Sequence, residues 1–481
     1  MKHKSLNAVF NLSSLLYILQ ILVSVLLLVI PAIKNGFPLL YSDSATYIVS
    51  GQDAYVPIDR PVIYGFIIRY ISLSYSLWLV VIFQALIVVL LINRLLSYFN
   101  LNRIKLFATL LVVLFLSLFT GVSNYTSQIM PDIFTGVLIL AYSMLLVEPN
   151  NRWRWLLISA VLISSMMHFS NLALSTTLAI IAFITVAIYR NRFIMAKRLL
   201  MYFAILAIFP WLLAPSVNYL YSGEFYLNKS NHIFFTGRLI ETGCLSEFFE
   251  SVPAAQQYSL YSAKDRLPEK SWQFIWDETS PLYDGNCSET GGWSNCWREK
   301  EQEYNVMIKD VLSNSHILAK FLRVSLVDWA KQLIDFDTGH LIQQGENSGF
   351  SHIIPKYFSD AECYRTSKQY HETLAFETGS LVQRWCIYIS FSLLLLYMIR
   401  PFWIEKEWTE KFRMLFAMVV VGFISNAVFC AVLSTVLNRY QGRIIWLLPL
   451  LLSVVMLLFL REKYLLWADR SNRKIQRKVQ Q

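Results

Sequence analysis

Charge is scarce in this chain. Of its 481 residues only 15% are Asp, Glu, Lys or Arg, against about 25% in a soluble globular domain, so it cannot wrap itself in an ordinary aqueous surface. The local signatures of common soluble chemistry are missing too. There is no glycine-rich nucleotide loop, no HExxH, no GxSxG and no CxxC pair, which removes the P-loop, zincin, α/β-hydrolase and paired-cysteine metal readings. No internal repeat or low-complexity tract is visible, and that argues against a transporter assembled from inverted repeats. Cysteine is sparse, at six residues, and none falls in a stretch expected to face the cytoplasm.

What fills the chain instead is apolar: 56% of positions are hydrophobic. Runs near the ~20 residues that cross a bilayer core recur about ten times. They lie near Leu12–Ile33, Ser76–Leu96, Leu106–Gly121, Ile133–Val147, Trp155–Met167, Leu172–Tyr189, Leu199–Val217, Leu381–Ile399, Met414–Val436 and Ile444–Leu460. The expected fold is mainly α, a polytopic α-helical membrane protein of about ten transmembrane helices. Lys2, His3 and Lys4 precede the first run, which is too long for a signal peptide and lacks a small-residue cleavage site, so it reads as a retained anchor.

An even number of spans puts both termini on one side. Arg94, Arg103 and Lys105, then Arg190, Arg192, Lys197 and Arg198, then the tail from Arg461 to Lys478 all fall on that side, which the Lys/Arg bias assigns to the cytoplasm. The formal charge of +10 is then inside-face topology, and no nucleic-acid partner is expected. The expected location is a cell inner membrane, crossed many times.

The expected organisation is an N-terminal membrane domain over 1–217, an extracytoplasmic domain over 218–379, a C-terminal membrane domain over 380–460 and a basic cytoplasmic tail over 461–481. Cys244, Cys287, Cys296 and Cys363 all lie in the long external segment, and Cys386 and Cys430 inside spans. Four external cysteines suit disulfides, with Cys287–Cys296 and Cys244–Cys363 the favoured pairs. A zinc site is disfavoured, because no His stands at ligand spacing from Cys287 or Cys296. Apolar residues from Val306 to Leu326 recur at helical spacing and predict one or two amphipathic helices. In the first external loop, 34–75, Pro61 opens a short predicted juxtamembrane helix whose lipid face is Ile63, Phe66, Ile67, Tyr70 and Ile71.

Few residues on the external side could carry chemistry. Asp43, in YSDSATY, is placed to act as a general base at the water interface, or simply to N-cap a helix starting at Ser44. Asp132, in MPDIF, reaches the same membrane face by topology and opens a helix in its turn. Arg60, beside Asp59, and Arg439 and Arg443, flanking Tyr440, stand on that face as well. Guanidinium groups there suit phosphate recognition, though they also suit snorkelling to headgroups. His168, in MMHFSN, is external by the same count, either structural or able to stabilise charge near a phosphate.

With these residues in place, the chain resembles bacterial members of the GT-C superfamily of integral-membrane glycosyltransferases. The resemblance rests on Asp43 in YSDSATY after a first span, on the RPxxYxxxxR run from Arg60 to Arg69, on Asp132 in MPDIF and on NRYQGRIIWLLPLL before the last span. It covers the first 220 residues and the last 50. It implies a polyprenyl-phosphate-linked sugar donor, a glycan or lipid acceptor, and inverting transfer on the external face. By that resemblance Asp43 deprotonates the acceptor hydroxyl, Arg60, Arg439 or Arg443 binds the departing lipid phosphate, and Asp132 helps position the acceptor or the first loop. Ser44 follows Asp43 where that family often has a second acid, so no metal is indicated, although a divalent cation stays open. Alternatives from other classes are a polymerase or ligase of lipid-linked glycans, a non-catalytic envelope assembly protein, and a transporter or flippase.

Overall fold

The computed structural model describes residues 12–99, 101, 104–193, 195–284, 293–337, 344–374, 377–399 and 406–479. Among them every regular element is a helix. The first apolar run forms α1 (Leu12–Leu28) and breaks at Val29, ahead of a short helix with Pro31 in its first turn, which Gly36 ends at φ 88°. Then come α2 (Ser44–Asp53), α3 (Ile63–Ser72), α4 (Trp78–Ser97), α5 (Lys105–Phe119), α6 (Ile133–Leu145), α7 (Asn151–Met166), α8 (Phe169–Ile188) and α9 (Ala196–Ser222). The predicted helix after Pro61 is therefore present as α3.

Among the described residues six helices are long and apolar enough to cross a membrane: α4, α8, α9 and, near the C-terminus, Ser380–Ile399, Trp408–Leu433 and Asn438–Tyr464. A multi-pass membrane protein needs such helices. The other four apolar runs form α1, α5, α6 and α7, of 17, 15, 13 and 16 residues. At 1.5 Å per residue, α6 rises only about 20 Å. Every residue of α6 is buried, so its apolar character serves contact with neighbouring helices rather than with lipid.

The long segment between the two membrane parts divides its packing between two cores. Helices α10 (Asn231–Glu241), α11 (Cys244–Ser251), α12 (Glu301–Ser313) and α13 (Ser315–Ile334) share a separate core with Phe248, Phe274, Trp297, Tyr304 and Phe321 at its centre. The amphipathic pattern over 306–326 becomes α12 and α13. They are split at Asn314, whose side chain accepts from His316 N and Ile317 N and so caps α13. By contrast Phe336 and the helices α14 (Phe350–Tyr357) and α15 (Ala361–Arg365) pack into the core of the membrane helices.

This division explains a correction. Cys244 and Cys363 do not pair, and both are free. Cys244 is buried at the start of α11 in the separate core, whereas Cys363 is exposed on α15, which belongs to the other. The Cys287–Cys296 pairing falls on Cys287, outside the described residues. Cys296 itself is fully buried. The chain closes with α16 (Glu377–Ile399), α17 (Lys406–Leu433), α18 (Asn438–Ile445) and α19 (Leu447–Val479).

Two glycines set the angle of the first loop. A Cβ on Gly51 of α2 would lie 2.0 Å from the carbonyl oxygen of Gly65 on α3, and one on Gly65 would lie 2.8 Å from Tyr47 O. The helices cross backbone to backbone there, and Arg69 of α3 donates to Gln52 O at 2.9 Å to close the end of α2. Gly51→Ala should therefore destabilise the fold by about 1–3 kcal/mol, the range for overpacking a filled site. The thermal midpoint in detergent reads it, and an unchanged midpoint would show that the helices do not cross so closely.

Candidate functional site

The site is assembled by the backbone before any side chain meets another. After Gly36 the chain runs without helix to Tyr41 and pairs in parallel with the segment before α6: Leu39 N donates to Ser127 O and Ile129 N to Leu39 O, each at 2.9 Å. Ser44 adds a bond from its hydroxyl to Ile129 O at 2.8 Å. This short bridge brings the turn carrying Asp43 beside the turn carrying Asp132. Behind it, buried Gln84 donates to Thr126 O and Gln128 O and accepts from Tyr64 of α3 at 2.8 Å. One amide thus ties α3, α4 and the Asp132 turn together.

The third component comes from the other end of the chain. Helix α17 stops at Leu433, and Leu437 is extended at φ −137° and ψ 131° before α18 begins. The break gives Arg439 and Arg443 a helix of their own, and their i, i+4 spacing puts both on one face. Every residue from Arg439 to Ile445 is buried. Gly442 makes this possible, because a Cβ there would lie 2.3 Å from both Tyr125 Oη and Asp337 O.

The two acids meet through the arginines. Asp43 faces Arg60 Nη1 at 3.2 Å and Arg439 Nη2 at 3.6 Å. Asp132 faces Arg443 Nη1 at 3.2 Å and Arg439 Nε at 3.8 Å. Arg439 therefore spans both carboxylates. Neither acid caps its helix through its side chain, so the capping alternative does not hold for Asp43, while Asp132 does stand directly at the start of α6.

Exposure separates their roles: the Asp43 side chain is 30% exposed, and that of Asp132 is 1% exposed. Arg60 is gripped from behind by Asp59, whose Oδ2 accepts from Nε at 2.9 Å and from Nη2 at 2.7 Å. Its guanidinium lies 5.3 Å from the Tyr47 ring. Burial pulls the Asp43 carboxyl up, but Arg60 and Arg439 outweigh it and hold it below its ordinary 3.8. Asp43 is thus the acid that reaches open space, already ionised.

His168 does cap a helix: its Nδ1 accepts from Ser170 N at 3.3 Å and pairs with Ser170 Oγ at 2.8 Å. Burial and the nearby Arg443 push the ring down to about 3, so it is neutral at ordinary pH and carries its proton on Nε2. Ser170 Oγ also accepts from Arg443 at 3.3 Å, which links the histidine to the cluster. Tyr440 stacks between the arginines, its ring 5.8 Å from the Arg439 guanidinium and 5.3 Å from that of Arg443.

Several partners were not singled out from sequence. Tyr41 lies 4.3 Å from the Arg439 guanidinium, and Tyr47 stands one turn along α2 from Asp43. Both flank Asp43 in the same run, which was the available signal. Asn426, inside α17, accepts from Arg443 Nη2 at 3.0 Å and donates to Tyr440 O at 2.8 Å. A buried amide within an apolar span is itself a pointer to a polar partner.

Donors remain for a ligand. Among the described residues, Arg439 Nη1 and Arg443 Nε are buried without an acceptor, and Asp132 Oδ2 is buried without a donor. Such groups are costly unless something fills the site. No three His, Cys, Asp or Glu side chains converge among the described residues.

An apolar cavity of about 350 Å³ lies among α3, α4, α6 and α7. Ile63, Phe66 and Ile67 of α3 line it with Phe134 of α6, Met166 and Met167. The predicted lipid face of α3, which continues with Tyr70 and Ile71, therefore lines a cavity. Its walls are sequence neighbours of Arg60, Asp132 and His168.

Breaking the buried pair has a defined consequence. Asp132→Asn leaves the Arg443 guanidinium, 0% exposed, without its countercharge and should cost about 3–5 kcal/mol of stability. The Asp132→Asn, Arg443→Met double variant should cost less than the sum of the two single changes. Thermal or denaturant midpoints of all four proteins in detergent decide it, and simple additivity would mean the pair is not coupled.

Comparison with protein-family models, curated proteins and solved structures finds no match to this chain.

Proposed function

We propose that the chain is an inverting membrane glycosyltransferase of the GT-C kind. It takes a sugar from a polyprenyl-phosphate donor and passes it to a glycan or lipid acceptor on the external face of a bacterial inner membrane. In this reading about ten helices cross the membrane, both termini are cytoplasmic, and the helical domain of α10 to α13 lies outside. The observation that carries the proposal is the meeting of a partly exposed, ionised Asp43 with buried arginine donors from the far end of the chain, in a fold whose apolar cavity is walled by sequence neighbours of Arg60, Asp132 and His168.

The chemistry follows from those parts. The phosphate of the donor takes the free N–H groups of Arg439 and Arg443, with Arg60 on the Asp43 side. The first isoprene units enter the apolar cavity. Asp43 accepts the acceptor's hydroxyl proton as the oxygen bonds to the anomeric carbon. The bond from that carbon to the phosphate oxygen breaks on the opposite face, and the lipid phosphate leaves with the electron pair. A carboxylate held below its ordinary pKa is a weak base, so proton transfer accompanies bond formation rather than preceding it. Asp132, buried, keeps Arg439 and Arg443 in place.

Asp43→Asn, close in shape, should lower transfer from a polyprenyl-phosphate sugar in proteoliposomes at least about 100-fold while retaining binding of polyprenyl phosphate. Unchanged transfer would remove Asp43 as the base. Mass analysis of cell-surface glycans after gene disruption reads the reaction class. Loss of a single sugar supports transfer, shortened chains with every sugar present point to a polymerase or ligase, and unaltered glycans overturn both.

The acid limb of the rate profile is a further check. Asp43 must be ionised to act, and ionisation is lost only as pH falls through its lowered pKa. The limb should therefore lie below pH 3.8, the ordinary aspartate value. A loss of rate centred near pH 6, with the protein still folded, would assign the base to another group.

A further inference from the structure

The residue directly before the helix that carries both arginines is held by a side chain from α13. Gln332, on the last turn of α13, is 0% exposed. Its Oε1 accepts from Leu437 N at 3.0 Å, and its Nε2 donates to Leu437 O at 2.8 Å. Leu437 is the extended residue directly before α18, so one amide takes both main-chain polar groups at the point where the backbone turns into that helix. A carboxamide suits this because it offers a donor and an acceptor at one end.

Two further ties join the same two bodies. Thr435 donates to Glu241 of α10 at 2.8 Å. Tyr125 Oη reaches Asp337 O at 3.2 Å and Arg439 O at 3.4 Å, and Gly442 packs against the same pair. The end of α13 and the start of α18 thus form one continuous seam. Arg439 lies two residues past Leu437, and its guanidinium must span Asp43 and Asp132 while leaving a free N–H.

We infer that Gln332 is a positioning residue, through which the α10 to α13 domain sets the placement of Arg439 and Arg443 and so the affinity for the donor's phosphate. This rests on the proposed function. Gln332 touches no substrate and acts through the backbone of Leu437. A shift of α18 changes the arginine donors first and leaves Asp43, held by the Leu39 bridge, where it was. The effect therefore falls on donor binding more than on the rate of the bound complex.

The test uses the full chain in proteoliposomes, with a polyprenyl-phosphate sugar as substrate and synthetic polyprenyl phosphate as binding probe. Gln332→Met keeps the volume and removes both hydrogen bonds. It should raise KM for the donor and weaken polyprenyl phosphate binding about tenfold, with kcat within about threefold of wild type. Gln332→Glu keeps the acceptor for Leu437 N but cannot donate to Leu437 O when ionised, and should fall between the two. It carries the test alone if Gln332→Met does not accumulate. A lowered thermal midpoint with unchanged KM and unchanged binding in either variant means a merely structural tie and overturns the inference. If the wild type neither binds polyprenyl phosphate nor transfers sugar, the proposed function fails, and this inference with it.

Discussion

Everything at the centre of this molecule depends on one guanidinium serving two carboxylates. Arg439 reaches Asp43 at 3.6 Å and Asp132 at 3.8 Å, which joins the first loop, the start of α6 and the penultimate helix across some four hundred residues of chain. The cluster as a whole balances: Asp43, Asp59 and Asp132 stand against Arg60, Arg439 and Arg443, with His168 neutral. Balance matters because burying an uncompensated charge costs several kcal/mol. Within it the distances differ. Arg60 and Arg443 make the closer contacts, and Arg439 sits looser between them with an N–H unspent. Arg443 keeps its Nε–H unspent as well, so the two arginines of α18 are the ones with hydrogen bonds left to give an anion.

The backbone around the cluster repeats one device. Gln332 takes both main-chain groups of Leu437, and on the opposite flank Gln369 does the same to Leu40, accepting from its N at 3.0 Å and donating to its O at 2.6 Å. Leu437 stands two residues before Arg439 and Leu40 three before Asp43. Each half of the ion pair thus follows a non-helical segment that no regular hydrogen-bond ladder secures, and in each case a buried glutamine from the long central segment supplies the missing partners. The central segment is therefore built into the site from two sides, through α13 and through the stretch after α15.

The membrane character, the run of apolar segments and the residues of the cluster were legible in the sequence, and for a physical reason. In a chain so poor in charge, a carboxylate or guanidinium at the end of an apolar run stands out, and counting spans sorts such residues by side. Asp43, Asp132, Arg60, Arg439, Arg443 and His168 were found that way. The pairings were not legible. Which acid meets which arginine depends on the parallel bridge at Leu39 and Gln128, a two-bond contact with no pattern of its own. Gln332 and Gln369 are ordinary polar residues in a polar segment, and only burial distinguishes them. The Cys244–Cys363 expectation failed because one continuous polar segment was taken as one core, whereas its second part packs on the membrane helices.

Helix α6 shows how the apolar and ionic parts depend on each other. It has only 13 residues and is buried along its whole length, yet Asp132 stands directly before it and Phe134, near its start, lines the apolar cavity. Near its first turn, Gly136 accepts the edge of the Trp446 ring, which a Cβ would meet at 2.9 Å, and the Trp446 indole donates to Arg443 O at 3.0 Å. The same helix start therefore fixes Arg439 and Arg443 on one side and the cavity wall on the other. A lipid phosphate carries its charge and its hydrocarbon on adjacent atoms, so a site for it must place guanidinium groups and apolar wall within one side chain's reach. A rigid, fully packed α6 meets that requirement, and a freely lipid-exposed span in its place would let the two halves of the site move apart.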